Sequence, residues 1–139
     1  MNKRLIFTLP IVLVLFTWIT IVPVLADPVV SIQITNFPAG GVLELGVGES
    51  YTFDIEVVSD QPFTNALALV NQFFPGRGIF YHGSDIAVRA TTATLHLTVT
   101  GKEPTADFPN GMATASVNVA VRFARNVVVQ TFDFNVIVS

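Results

Sequence analysis

The segment from Asn71 to Asp85, NQFFPGRGIFYHGSD, gathers the side chains of this chain that are best suited to holding a ligand. Four aromatic residues, an arginine and a histidine lie there among three glycines and a proline. Exposed aromatic faces beside a planar cation suit stacking on sugars or docking of a protein partner. The candidate binding residues are therefore Phe73, Phe74, Arg77, Phe80, Tyr81 and His82.

The glycines and the proline of this segment predict how those side chains are held. Pro75 and Gly76 occupy the second and third positions of a type II turn, where proline fixes φ and glycine accepts a positive φ. The turn predicts a hairpin in which Asn65–Phe74 pairs with the strand through Ile79. Neighbouring residues of a strand face opposite sides, so one ring of each adjacent pair should face the core. The outward rings are either a contact surface or covered by a neighbouring loop.

Metal binding and catalysis have weaker support in the sequence. The two histidines, His82 and His96, are predicted on different strands, where they could approach each other and hold a metal ion with Asp85. A solvent-facing histidine is the alternative. Calcium requires several convergent oxygens, and the loop acids lack the spacing of a dedicated site. These acids are Glu49, Asp60, Asp85, Glu103 and Asp107.

The chain contains no cysteine, which excludes thiol catalysis, blue copper and thiolate zinc sites. It also lacks the serine elbow, the zinc helix, the P-loop and the dinucleotide fingerprint. We therefore predict no catalytic residues, no metal site and no cofactor. A disulfide-free small exported domain must depend on its hydrophobic core, and this favours a prokaryotic protein.

The first 26 residues resemble a secretory signal peptide. Lys3 and Arg4 precede an uncharged apolar run from Leu5 to Val22, and small residues end at Ala26. This order of basic, apolar and small residues predicts cleavage between Ala26 and Asp27. The alternative is an uncleaved anchor, because the run approaches the roughly 20 residues that span a bilayer. We expect a secreted or extracytoplasmic location.

Residues 27–139 are predicted to form one domain. Without Lys3 and Arg4 this segment has five basic and ten acidic residues, a formal net charge of −5. An acidic surface without a basic cluster repels phosphate backbones, which argues against nucleic acid as a partner. The length is sufficient to bury a core.

Apolar and polar residues alternate through most of this domain, which predicts strands with one buried and one solvated face. Turn sequences separate them, as in FPAGG, GVGES, HGSD and FPNG. Seven or eight such strands predict an all-β antiparallel sandwich. The predicted strands are Val29–Thr35, Val42–Leu45, Tyr51–Val58, Asn65–Phe74, Gly78–Tyr81 or Ile86–Ala90, Thr91–Thr100, Met112–Arg125 and Val127–Val138.

The stretch VLELGVGESYTFDIEVVS, a short strand, a Gly-Glu-Ser turn and an alternating aromatic strand, resembles the first half of bacterial immunoglobulin-like and fibronectin-III-like domains. The last two predicted strands resemble the end of such domains. The segment after residue 26 lacks the tryptophan and the cysteine pair of antibody domains. The resemblance implies an immunoglobulin-like fold and a module for adhesion, spacing or assembly; it assigns no site residue.

The outward positions of two late strands are small and uncharged. Natural sheets usually place charges where association must be avoided, so a face without them suggests contact with another copy or an envelope protein. The alternative is an ordinary solvated sheet. These positions are Thr92, Thr94, Thr98 and Thr100, then Thr114, Ser116, Asn118 and Ala120.

The sequence thus leaves three classes of function. The first is a non-catalytic envelope or secreted module for protein contact, adhesion or assembly, with an envelope protein or itself as partner. The second is a small carbohydrate-binding module that uses the Phe73–Tyr81 aromatic hairpin, with glycan as its ligand. An enzyme is the third and least favoured.

Overall fold

A computed structural model describes residues 26–72, 79–82, 86 and 88–139. The described chain is all-β, with two short 3-10 turns at Ala39–Gly41 and Pro109–Gly111. Its strands are β1 Val30–Ile34, β2 Val42–Leu45, β3 Ser50–Phe63, β4 Asn65–Gln72, β5 Ile79–His82, β6 Ala90–Gly101, β7 Ala113–Arg122 and β8 Val127–Val138.

The strands form two four-stranded sheets. The first sheet has the order β1-β3-β6-β5, and the second has the order β2-β8-β7-β4. This is the immunoglobulin-like arrangement. In that seven-stranded fold, the first, second, fifth and fourth strands form one sheet, and the third, sixth and seventh strands form the other. The predicted fold class is confirmed, with one refinement: β2 pairs parallel to β8, whereas the other pairs are antiparallel.

The core lies between the sheets and is built by the predicted alternation. Phe53 and Leu97 of the first sheet and Val119 of the second are fully buried, and Phe134 is 2% exposed. Phe53 contacts Tyr51 and Phe134, with ring centroids 5.2 Å apart in each pair. Burial of these apolar faces is the main favourable term in folding a chain that has no disulfide.

The chain changes sheets between β1 and β2. Asn36 holds this crossing, because its side-chain amide donates to Thr52 O at 2.8 Å and its oxygen accepts the Asp54 N–H at 2.8 Å. Gly40 and Gly41 follow with φ of 68° and 72°, a region that favours glycine. The crossing lets the first part of the chain pair with both sheets.

The predicted hairpin of β4 and β5 is wrong. β4 pairs with β7 in the second sheet, and β5 pairs with β6 in the first. Every strand of a sandwich shows the same alternation, so the period identifies a buried face without identifying the neighbouring strand. β4 and β5 therefore belong to different sheets and do not form a hairpin.

Several predicted strand ends also differ. β3 continues beyond Val58 to Phe63 through an irregularity in its pairing with β6. β7 ends at Arg122, and Phe123 N donates to Asn126 O at 2.7 Å to close the turn before β8. Of the two alternatives for the fifth strand, Ile79–His82 is the one observed.

Candidate functional site

The aromatic segment is only partly described. Phe73, Phe74, Arg77 and Asp85 lie outside the described residues. The backbone of Phe80, Tyr81 and His82 belongs to β5, opposite Thr100, Val99 and Thr98 of β6. Binding by these six candidate residues stays a prediction, now without the hairpin that was expected to present them.

His96, the other histidine considered as a metal ligand, belongs to a polar network on the outer face of the first sheet. Its Nδ1 lies 2.9 Å from Asp54 Oδ1, and the two side chains are 50% and 46% exposed. The Asn36 amide lies 3.4 Å from the second Asp54 oxygen. A contact this exposed contributes little to stability. The network connects Asn36, between β1 and β2, with Asp54 of β3 and His96 of β6, and so stabilises the fold.

Two of the loop acids that were considered for calcium, and judged to lack the spacing of a site, accept hydrogen bonds from backbone amides. Glu49 Oε2 accepts the Gly46 N–H at 2.7 Å, and Asp60 Oδ1 accepts the Val29 N–H at 2.8 Å. Each carboxylate thereby fixes a turn or the entry to β1. Among the described residues, no three histidine or acidic side chains lie close enough together to share a metal ion.

The outer face of the first sheet is a hydroxyl-rich surface with a few charges. Thr52 and Thr98 hydroxyls lie 2.9 Å apart across β3 and β6. Ser50 and Thr100 hydroxyls lie 2.7 Å apart, and Thr100 is buried at 9% exposure, although its position was predicted to be solvated. These hydroxyls are satisfied by cross-strand partners, which stabilises the sheet.

The outer face of the second sheet is different, because apolar side chains occupy its middle part. Leu67 of β4, Ala120 of β7 and Val129 of β8 lie in one cross-strand row. Val129 is 59% exposed and Val127 is 56% exposed. We call this surface the second-sheet face; its members are Leu67, Leu69, Asn118, Ala120, Val127, Val129 and Thr131.

Of the second-sheet face, only the β7 part is predicted by the sequence. The outward positions Asn118 and Ala120 were predicted, and Asn118 accepts a hydrogen bond from Thr131 at 2.6 Å. The exposed valines of β8 were missed. Their signal is the run of three valines from Val127 to Val129, since consecutive strand residues alternate faces and cannot all be buried.

A shallow cleft of about 360 Å³ lies at one end of the sandwich, between the start of the described chain and the β7–β8 turn. Gln61 Nε2 donates to Ala26 O at 2.9 Å, and Asn126 Nδ2 lies 3.3 Å from Asp27 Oδ1. Phe123 and Arg125 also line the cleft. These bonds attach the residues on both sides of the predicted cleavage point to the domain.

No helix among the described residues has the length and hydropathy needed to cross a membrane.

Comparison with known proteins supports the fold. No family model matches the chain, and no curated protein does. A solved structure of domains 4 and 5 of the S-layer protein SbsC is similar over 84% of this chain, with 17% identity and a TM-score of 0.51. The match spans 56% of that protein's chain, which is little more than half. At this identity the similarity establishes a shared β-sandwich fold.

Two further structures are more distant. AggA, the major subunit of aggregative adherence fimbriae type I from Escherichia coli, matches over 84% of this chain and 98% of its own. Its identity is 16% and its TM-score 0.40. A family 123 glycoside hydrolase from Clostridium perfringens matches over 81% of this chain and 27% of its own, with 12% identity and a TM-score of 0.48.

Proposed function

We propose that this chain is a non-catalytic module of the cell envelope or the secreted fraction, and that it makes protein contacts in adhesion or assembly. The observation that carries the proposal is the second-sheet face. Val129, 59% exposed, continues across the sheet into the half-buried Ala120 and Leu67, and Val127, 56% exposed, lies in the neighbouring row. Contiguous exposed apolar surface marks sites of protein contact.

The arrangement of charge supports the same function. On the outward positions of β4, β7 and β8 that form this area, the charged residues are Arg122 and Asp133, which lie in its outer rows. The middle rows carry leucine, alanine, valine, asparagine and threonine. Interface centres are depleted of charge and surrounded by a polar rim.

The location and the class of protein also fit. A signal peptide would export the domain, and an S-layer protein has the same sandwich fold. An exported fold without disulfides, held by a core between its two sheets, suits an envelope component.

The test compares two valines of similar exposure on opposite faces. Val129 of the second sheet is 59% exposed, and Val58 of the first sheet is 52% exposed. Cells producing the full chain are treated with a chemical cross-linker, and the cross-linked protein species are quantified for Val129→Lys and for Val58→Lys. We expect Val129→Lys to reduce the cross-linked species at least about tenfold, since a buried unpaired charge costs more than about 1.4 kcal/mol.

Equal cross-linking by both variants and the unmodified chain would contradict contact through the second-sheet face. Saturable glycan binding that is lost in Arg77→Ala would instead support the carbohydrate-binding alternative, with the aromatic segment as its site.

A further inference from the structure

The outer edge of the second sheet is an uncharged strand. β4 is the last strand of its sheet, and no described strand pairs with its other side. Its sequence, NALALVNQ, contains neither charge nor proline nor glycine over eight residues. Natural edge strands usually carry lysine, proline or a bulge that prevents pairing with another chain. β4 lacks these protections.

The sequence of β4 is nearly palindromic about Ala68. Asn65 and Asn71 are equivalent about this centre, and so are Leu67 and Leu69. Ala66 and Val70, both apolar and both buried, form the third equivalent pair. A strand of this kind presents the same residue types in both directions, as the interface of a two-fold dimer requires.

We propose that β4 pairs antiparallel with β4 of a second copy of this chain, about a two-fold axis at Ala68. Each Leu67 then lies opposite the Leu69 of the other copy, and each Asn65 opposite an Asn71. Leucine then packs against leucine and amide against amide, with the Cβ atoms of opposite residues about 4.5–5.5 Å apart, as in any antiparallel strand pair. The two second sheets become one eight-stranded sheet.

The outer face agrees with this arrangement. The second-sheet face begins at Leu67 and Leu69, so it continues across the axis into its own copy. The same axis aligns the row containing Arg122 with the row containing Asp133, because these rows begin at Asn65 and Asn71. Opposite charges therefore share a row, and no like charges lie directly opposite each other across the axis.

This inference deepens the proposed function by naming one partner, a second copy, and it rests on the chain being a module for protein contact. A strand from another protein could add to the same edge. The palindrome favours the second copy, since a foreign strand has no need of it.

The first experiment measures the oligomeric state by sedimentation velocity, on protein purified from cells that produce the full chain. We expect a dimer. Leu67→Lys combined with Leu69→Lys places two like-charged pairs across the axis and should weaken the dimer at least about tenfold. Both leucines are half-buried on the outward side, so the fold should persist, which circular dichroism checks.

The matched control is Ser31→Lys combined with Gln33→Lys. These residues have the same spacing and the same outward orientation, and they lie on β1, an edge of the first sheet. We expect this variant to remain dimeric.

A rescue experiment tests the register. Leu67→Glu with Leu69→Glu should also abolish the dimer, and mixing it with the double lysine variant should restore a heterodimer. Asn65→Cys or Asn71→Cys alone should give no covalent dimer, whereas the double variant should. The two positions lie about 20 Å apart along one strand, which excludes a bond within a chain, and the chain has no cysteine of its own.

A monomer at all soluble concentrations, a dimer that survives the lysine variant, or cross-linking by either single cysteine variant would overturn self-pairing through β4. Loss of the dimer in the β1 control would overturn it too. The proposed function has a separate outcome. If the chain is monomeric and Val129→Lys removes its cross-linking to other envelope proteins, the contact module is supported and self-pairing is excluded.

Discussion

At the scale of single residues, side chains of the same type have unequal roles because strand position decides their burial. Phe132 and Phe134 are two residues apart in β8. Phe134 is 2% exposed and packs edge-on against Phe53 at 5.2 Å, whereas Phe132 is half-buried and contacts Phe37 at 6.4 Å. The difference in burial between the two rings reflects how far each one reaches into the space between the sheets.

Phe134→Ala should reduce the free energy of unfolding by about 3–5 kcal/mol, as for other large buried aromatic residues. Phe132→Ala, its control in the same strand, should cost clearly less because its ring keeps part of its exposure in the folded state. Urea unfolding monitored by far-UV circular dichroism measures the free energy of unfolding of both variants. Equal losses would mean that the difference in burial between Phe132 and Phe134 does not decide their contributions to stability.

Thr105 is a buried polar residue whose hydroxyl joins two parts of the chain. It is fully buried, donates to Gly111 O at 2.7 Å and accepts the Val138 N–H at 3.1 Å. Thr105→Val keeps the shape but leaves both backbone groups without this partner, so we expect a loss of about 1–3 kcal/mol in the free energy of unfolding.

Thr105→Ser, which retains the hydroxyl, should recover most of that stability. A serine variant as unstable as the valine variant would show that the methyl group, and not the two hydrogen bonds, accounts for the effect.

At the scale of elements, the end of β6 approaches the β2–β3 turn closely. Gly101 N donates to Glu49 O at 2.9 Å, and Gly101 O accepts the Gly48 N–H at 2.8 Å. A Cβ on Gly101 would lie 2.4 Å from Gly46 O, a backbone atom. The glycine therefore permits two strands and a turn to meet.

Gly101→Ala should separate these elements and reduce the free energy of unfolding by about 1–3 kcal/mol, the usual cost of overpacking. Gly46→Ala is the matched control, because a Cβ there would meet the Glu49 side chain at an ordinary 3.4 Å. Thermal unfolding of both variants gives the comparison. A Gly46→Ala protein that is as unstable as the Gly101→Ala protein would contradict this account.

The elements also show how far the sequence predicts this structure. Alternation correctly placed Phe53, Leu97, Val119 and Phe134 in the core, because a period of two follows directly from strand geometry. It did not predict that β4 pairs with β7, whose partner residues lie some fifty positions along the chain. Local sequence contains no signal for such a distant choice. The β4 edge became a candidate site only after the sheet order was known.

At the scale of the whole molecule, the residues on both sides of the predicted cleavage point contact the domain. Ala26 O and the Asp27 carboxylate both accept hydrogen bonds from the domain, through Gln61 and Asn126. A cut between them removes the Ala26 contact and preserves that of Asp27.

Protein recovered from the envelope or the medium should therefore begin at Asp27, as the charge pattern and small residues before it predict. Intact mass spectrometry of the exported protein measures this directly. A mass that includes residues 1–26 would support the anchor alternative. Ala26→Asp removes the small residue before the cut, and signal peptidase should then no longer process the protein.

The parallel pairing of β2 with β8 determines how the domain responds to tension. Residues 42–45 run in the same direction as residues 135–138, so the entering end of β2 and the leaving end of β8 are at opposite ends of the pair. Once β1 has separated from β3, a pull on both chain ends loads these hydrogen bonds side by side, in shear, and they must break together. A domain inserted in series within a stretched surface structure would resist extension through this short ladder.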